Sequence, residues 1–160
     1  DQARATLIEK LTRVNLTLAP SDSSKQAITL RLADLHSEQG RHLAMKELDG
    51  GCTSQCNAGA ADRKKALLFY QEVLPKLKSE ERVAVLTQIG HLHELLNEES
   101  KAVEIYGELL KEPNPKAVAE ANLSLAEMYF KKRQWSQAHT FYQKVKESHS
   151  TQKGLASYRS

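Results

Sequence analysis

The sequence has 160 residues, a mass of 17.9 kDa, 40% apolar and 27% charged residues, and a mean hydropathy of −0.55. These values exclude a collagen-like or low-complexity chain, and the 7 glycines and 4 prolines favour an all-α fold over an all-β fold. The net charge of +3 is too small to indicate a nucleic-acid partner. No apolar run approaches the roughly 18 residues that a membrane-spanning helix needs.

The first half of the chain predicts two helices and a loop. A helical stripe over residues 1–18 is formed by Leu7, Ile8, Leu11, Val14 and Leu18. A second helix is predicted over 25–48, with Gly40 as a weak point in its interior and N-cap candidates at 21–24. Residues 49–61 contain both cysteines and three glycines, so they are predicted to form a loop.

The second half predicts six further helices and no strand. Asp62 is the expected N-cap of a helix to about residue 77, which Pro75 would distort near its end. Further helices are expected over about 79–96, 100–111, 116–132 and 135–148. A last helix is expected to begin near Thr151.

Three alanines recur at intervals of 36 residues. Ala66, Ala102 and Ala138 are each followed four positions later by a tyrosine. The preceding helices share a pattern too, since Gly90 and Ala126 occupy equivalent positions. Small residues are expected where two helices approach most closely, with Tyr70, Tyr106, Tyr129 and Tyr142 filling the adjacent holes. The recurrence predicts repeated helix pairs that must stack to bury their apolar faces.

This pattern resembles the tetratricopeptide repeat (TPR) family, whose helix pairs carry small and aromatic residues at these positions. The resemblance implies an all-α, right-handed α-solenoid of antiparallel helix pairs. The predicted parts are a cap or half repeat (1–24), a first repeat (25–78) with an insertion at 41–61, a second repeat (79–114), a third (115–150) and the start of another (151–160). The 36-residue spacing exceeds the usual 34, and Asn122 stands where the family has a large residue.

The resemblance also implies a concave groove that binds a protein or peptide. The groove candidates are Asp34, Glu38, Gln88, His91, Glu94, Glu120, Glu127 and Phe130, joined by Leu30, Ser37, Ala84, Thr87, Leu123 and Ser124. Acids dominate this set and it has no Lys or Arg, so a basic or neutral partner is expected, although the acids could equally be ordinary solvated residues. A chaperone-tail carboxylate clamp is not expected, because the matching positions (Leu30, Asp34, Gln88, Glu120 and Ser124) are not basic.

Cys52 and Cys56 are predicted to form a disulfide that closes a small loop in an oxidising compartment. Their spacing is not that of a Cys-x-x-Cys redox motif, and no βαβ pattern surrounds them. A zinc site with His36 or His42 is the remaining alternative, although no second Cys/His pair has ligand spacing. No metal site or cofactor is therefore predicted.

Four other features are assigned packing roles or set aside. His91 and His93 lie two positions apart on a helix, so they cannot share a metal, and His93 is expected to pack in the core. Trp135 is also expected in the core. Two segments, 15–17 and 122–124, match the glycosylation sequon, but Asn122 falls on a packed helix.

The function predicted from the sequence is a non-enzymatic scaffold or adaptor. The first residue is Asp1, so either a signal peptide has been removed or the sequence is a piece of a longer protein. With the cysteine loop, this suggests a bacterial envelope protein, periplasmic or tethered, and the resemblance implies a role in secretion, assembly or motility machinery. The alternatives are a recruiting segment of a larger enzyme, a cytosolic adaptor with reduced cysteines, and a solenoid that self-associates through its terminal repeats.

Overall fold

The computed structural model describes the backbone of residues 2–158 and the side chains of residues 2–149. Within these residues the chain forms seven α-helices and one short 3₁₀ helix, with no strand. The helices are α1 (Gln2–Thr17), α2 (Ser23–Asp49), α3 (Ala60–Val73), α4 (Ser79–Leu95), α5 (Glu99–Leu109), α6 (Pro115–Lys131) and α7 (Trp135–Tyr158). The all-α prediction is confirmed.

The chain divides into two compact units, residues 1–78 with 95–97, and residues 79–94 with 98–160. In the first unit α2 packs against α1 and α3. Asp22 caps α2 by accepting a hydrogen bond from the Ser24 N–H at 2.8 Å. The Lys25 ammonium donates to the backbone carbonyls of Asn15 and Leu18, so it satisfies carbonyl groups at the end of α1.

A close backbone contact joins the interior of α2 to the residue that precedes α3. Gly40 lies within α2, which continues to Asp49 instead of weakening there. A Cβ on Gly40 would lie 3.0 Å from the Gly59 carbonyl oxygen, and a Cβ on Gly59 would lie 2.2 Å from the Gly40 oxygen. Both positions therefore require glycine for close approach of the two backbone segments. The predicted loop is shorter than expected, spanning residues 50–59.

In the second unit, α5 packs on α6 and α6 on α7. The turns α4–α5 and α6–α7 are equivalent: Asn97 and Arg133, 36 residues apart, have φ of 59° and 60°. The residue after each of these donates its N–H to the carbonyl five residues earlier. Glu98 donates to His93 at 2.8 Å, and Gln134 donates to Tyr129 at 2.9 Å. The recurrence seen in the sequence therefore has a counterpart in the backbone.

The recurring alanines all lie in the core. Ala66, Ala102 and Ala138 are buried, as are Tyr70 and Tyr106. A Cβ on Gly90 would lie 2.5 Å from Cε1 of Tyr106, so the ring occupies the space that a side chain on α4 would need. The expectation of small residues beside tyrosine rings is confirmed at this pair. It is wrong for Tyr142, which is 38% exposed.

Two predicted helix boundaries are wrong. Asp62 does not cap α3, which begins at Ala60 after Gly59; instead its carboxylate pairs with His36. No new helix begins near Thr151, because α7 continues to Tyr158. The last two residues of the predicted further repeat, 159–160, lie outside the described residues.

Replacing Gly90 by alanine should destabilise the protein by about 1–3 kcal/mol, because the buried Tyr106 ring leaves no room for a methyl group. Gly107→Ala is the matched control, since Gly107 lies within α5 and its added Cβ meets nothing within 4 Å. It should stabilise by up to about 1 kcal/mol. Urea denaturation followed by circular dichroism measures both, and equal effects would contradict the packing at Gly90.

Candidate functional site

Helices α4, α5 and α6 bring a polar cluster together in the second unit, which we call the Tyr106 cluster (His91, Glu94, Tyr106, Ser124 and Glu127). The Tyr106 ring is buried, but its hydroxyl donates a hydrogen bond to the Glu94 carboxylate. A buried phenol needs such a partner, because an unpaired hydroxyl in a low-dielectric interior is costly. Glu94 therefore holds a fixed orientation at the surface of α4.

Two further residues surround that hydroxyl. The His91 ring meets the Tyr106 ring edge-on, with centroids 6.2 Å apart. His91 Nε2 lies 3.5 Å from the Ser124 hydroxyl oxygen, so α4 and α6 also meet here. His91 and Glu94 are half-buried and Ser124 is buried, whereas Glu127 is exposed. The result is a surface with positioned acceptors and exposed negative charge.

The electrostatics of this cluster agree with its geometry. Burial raises the pKa of Tyr106 above its usual value, and the hydrogen bond to Glu94 and that residue's charge raise it further. A side-chain hydrogen bond with Ser124 lowers the pKa of Tyr106, while the charge of Glu127 raises it. Tyr106 therefore stays protonated and serves as a donor to Glu94.

A similar arrangement occurs in the first unit. The buried Tyr70 hydroxyl donates to Asp34 at 2.5 Å, across 36 residues of sequence. Burial, then this hydrogen bond, raises the pKa of Tyr70, and the charge of Glu38 adds to the effect. Glu38 also lies 3.6 Å from the Arg4 guanidinium of α1, so its charge is partly neutralised. Each unit thus pairs a core tyrosine with an acid of the preceding helix.

The structure brings some groove candidates together and separates others. His91, Glu94, Ser124 and Glu127 form the Tyr106 cluster; Asp34 and Glu38 belong to the first unit. Thr87 is buried and donates to the Val83 carbonyl within its own helix, so it offers nothing to a partner. The remaining exposed candidates in the second unit are Ala84, Gln88, Glu120, Leu123 and Phe130.

Sequence reasoning missed the tyrosine hydroxyls. It placed Tyr70 and Tyr106 correctly as ring packing but assigned their hydroxyl groups no partner. The available signal was chemical: a tyrosine at a buried helical position, where phenylalanine would fill the same hole, calls for an acceptor on the neighbouring helix. Asp34 and Glu94 are those acceptors, so two of the predicted groove acids also stabilise the fold.

The sulfur atoms of Cys52 and Cys56 lie at disulfide-bonding distance, 2.09 Å apart. Glu47, on the last turns of α2, accepts hydrogen bonds from the N–H groups of Asn57 and Ala58, at 3.3 and 2.8 Å. The carboxylate thus ties the far side of the loop to α2.

The ligand atoms of Glu47 and the two cysteines lie within 4.8 Å of one another. Bonded sulfurs provide no thiolate for a metal, and the Glu47 carboxylate already has two donors. Neither histidine of the alternative zinc prediction joins them: His36 Nδ1 lies 2.7 Å from Asp62, and His42 is exposed and absent from the group.

The packing assignments were right for His93 and wrong for Trp135. His93 is buried, with Nδ1 3.6 Å from the Glu98 carboxylate. Trp135 is 56% exposed, so the expected core position is wrong. Trp135 is the first residue of α7, just after the turn at Arg133, and the first buried residue of that helix is Ala138. Both sequon asparagines, Asn15 and Asn122, are buried on helices.

A comparison with protein-family models gave no match, and a comparison with curated proteins gave no relative. The resemblance to TPR proteins therefore depends on the repeated residues themselves. Across the described residues, the helices lack the length and apolar character needed to cross a membrane.

Alkaline pH should unfold the protein through its two buried tyrosines. In the unfolded chain tyrosine ionises near pH 10, whereas the pKa values of Tyr70 and Tyr106 are raised in the fold. Above about pH 10 the folded state therefore binds more protons than the unfolded state, and stability falls as pH rises. Absorbance at a phenolate wavelength, followed with circular dichroism, should show the last two of the 5 tyrosines ionising only as helicity is lost.

The Tyr70→Phe/Tyr106→Phe double variant is the control for this titration. It should lose the phenolate signal that accompanies unfolding, since phenylalanine has no hydroxyl to ionise. Complete ionisation of all tyrosines with helicity intact would contradict the burial of these hydroxyl groups.

Thiol titration should detect no reactive cysteine in the native oxidised protein and two after reduction. Reduction should leave the helical circular dichroism signal intact, because residues 52 and 56 lie outside α2 and α3. The loss of stability should not exceed about 2 kcal/mol, since the closed loop is short. Two reactive thiols before reduction would contradict the disulfide.

Proposed function

We propose that this protein is a non-catalytic TPR-like scaffold, an α-solenoid of antiparallel helix pairs that binds a protein or peptide. The observation that carries the proposal is the Tyr106 cluster, in which three helices hold Glu94, His91 and Ser124 in fixed positions beside the exposed Glu127. Prepositioned acceptors lose little conformational freedom when a partner binds, which favours recognition. The recurring turns at Asn97 and Arg133 support the repeat architecture.

The charge of the cluster favours a partner with lysine or arginine side chains. The Glu94 carboxylate accepts a hydrogen bond from the Tyr106 phenol, and Glu127 is exposed to solvent. Glu120, about two turns before Glu127 on α6, is also exposed. An ammonium or guanidinium group approaching these carboxylates would gain charge-assisted hydrogen bonds and electrostatic steering.

The disulfide favours an oxidising compartment, so we place the scaffold in the bacterial cell envelope as part of a secretion, assembly or motility complex. Cysteines 52 and 56 at bonding distance support this location, because such bonds persist outside the reducing cytosol. Recovery of the endogenous protein in a periplasmic or envelope fraction, with neither cysteine reactive toward a thiol reagent until it is reduced, would support this location. Recovery in the cytosolic fraction with two free thiols would contradict it.

Charge reversal should distinguish the cluster from the rest of the surface. The Glu120→Lys/Glu127→Lys variant should weaken binding of a Lys/Arg-containing peptide at least tenfold, since two favourable charges become unfavourable. The Glu80→Lys/Glu104→Lys variant changes the net charge equally at exposed positions on α4 and α5. Fluorescence anisotropy across a library of basic, neutral and acidic peptides measures both variants.

Equal loss in the two variants would indicate a general effect of net charge and contradict a site at the cluster. Preference for acidic peptides would contradict the charge assignment. Glu94→Gln offers a gentler test, because its amide oxygen still accepts from Tyr106 while the negative charge is removed. It should weaken peptide binding with little loss of stability.

A further inference from the structure

Residues 128–146 of α6 and α7 concentrate aromatic and basic side chains in a single stretch. The stretch contains the only tryptophan of the chain, two of its 3 phenylalanines and two of its 5 tyrosines. It also contains Lys131, Lys132, Arg133, Lys144 and Lys146 and no acidic residue, although the whole chain is nearly balanced at 23 basic and 20 acidic residues. This segregation is unlike the acidic Tyr106 cluster.

The most exposed rings lie at the turn between the two helices. Phe130 and Trp135 meet edge-on with centroids 5.1 Å apart, and they are 53% and 56% exposed. We call this pair, with the turn residues between them, the aromatic corner (residues 130–135). Two large apolar side chains so exposed in one place mark an interaction surface.

Three basic residues of the aromatic corner lie between its two rings in the sequence. Lys131 and Arg133 are exposed, whereas Lys132 forms an ion pair with Glu99 of α5. Arg133 holds a left-handed backbone conformation, with φ of 60°, that turns the chain sharply between the rings. An exposed turn that carries rings and cations can contact a flat anionic partner. An enclosed groove would suit such a partner less well.

Of the other three rings in the stretch, Tyr142 is 38% exposed, and Tyr129 and Phe141 already have ring partners. Tyr129 and Phe141 stack at 5.5 Å with planes 9° apart, and the Lys144 ammonium lies 4.8 Å above the Phe141 ring. The Phe141 ring is therefore in contact with both Tyr129 and Lys144, and the Phe130 ring meets Trp135 edge-on. Single-stranded nucleic acid requires open aromatic faces in series, so these contacts do not favour it.

We propose that the aromatic corner docks the protein on an anionic lipid surface. Trp and Phe side chains favour the interface between headgroups and acyl chains, and neighbouring Lys and Arg attract anionic headgroups while their aliphatic stems remain near the rings. The attachment is peripheral and involves no membrane-spanning helix. It is independent of peptide binding at the Tyr106 cluster.

Trp135 reports directly on this docking because the chain has no other tryptophan. Vesicles of phosphatidylcholine with about one-third phosphatidylglycerol should shift its emission to the blue and protect it from aqueous quenchers. The protein should co-float with these vesicles and not with pure phosphatidylcholine, and added salt should weaken the binding.

Two variants locate the surface. Lys131→Glu/Arg133→Glu should reduce vesicle partitioning about thirty-fold or more, because each basic residue near an anionic surface contributes about 1 kcal/mol of attraction and both contributions are lost. Lys64→Glu/Lys65→Glu makes the same change in net charge at exposed positions on α3 and should have much less effect. Phe130→Ala should weaken partitioning while leaving the Trp135 probe in place; helicity is checked by circular dichroism.

Three results would overturn the proposal. They are equal flotation with neutral and anionic vesicles, no change in Trp135 emission on flotation, and equal loss in both charge-reversal variants. A blue shift produced by an acidic peptide or a single-stranded oligonucleotide, in the absence of an effect of vesicles, would also overturn it and assign the corner to that partner.

Discussion

The contact of Gly90 with the Tyr106 ring joins the packing of the second unit to its surface chemistry. The ring lies close to α4 because Gly90 has no side chain, and its burial obliges the hydroxyl to find an acceptor. Glu94 provides that acceptor one turn further along the same helix. The acid is therefore fixed by the core, and the surface that it presents follows from how closely α4 and α5 approach.

The sequence predicted helix positions well because apolar residues repeat with helical spacing over long segments. It also identified the buried alanines, since Ala66, Ala102 and Ala138 recur at one interval and all lie in the core. It could not predict that Asp62 pairs with His36 instead of capping α3, because that choice depends on a residue 26 positions away. Nor could it show that Trp135 is exposed, since an aromatic residue at a helix start fits core and surface equally.

Gly40 shows how a local rule was outweighed by tertiary contact. In an isolated helix a central glycine costs about 1 kcal/mol relative to alanine. In α2 the same residue is buried against the Gly59 backbone, where any side chain would collide. The close contact offsets this local cost, because it lets the middle of α2 pack directly against the residue before α3. The cysteine loop can then project from α2 and α3 while Glu47 and the disulfide hold its shape.

The small net charge conceals two surfaces of opposite character in the second unit. Glu94 and Glu127 gather around Tyr106, whereas the stretch 128–146 has basic residues and no acid. An even mixture of the same charges would give weak fields everywhere, because neighbouring charges of opposite sign cancel within about a Debye length. Separation along the chain preserves both fields away from their boundary on α6, where Glu127 and Lys131 lie one turn apart. In the two proposals made above, α6 contributes to both sites, each through a different set of side chains.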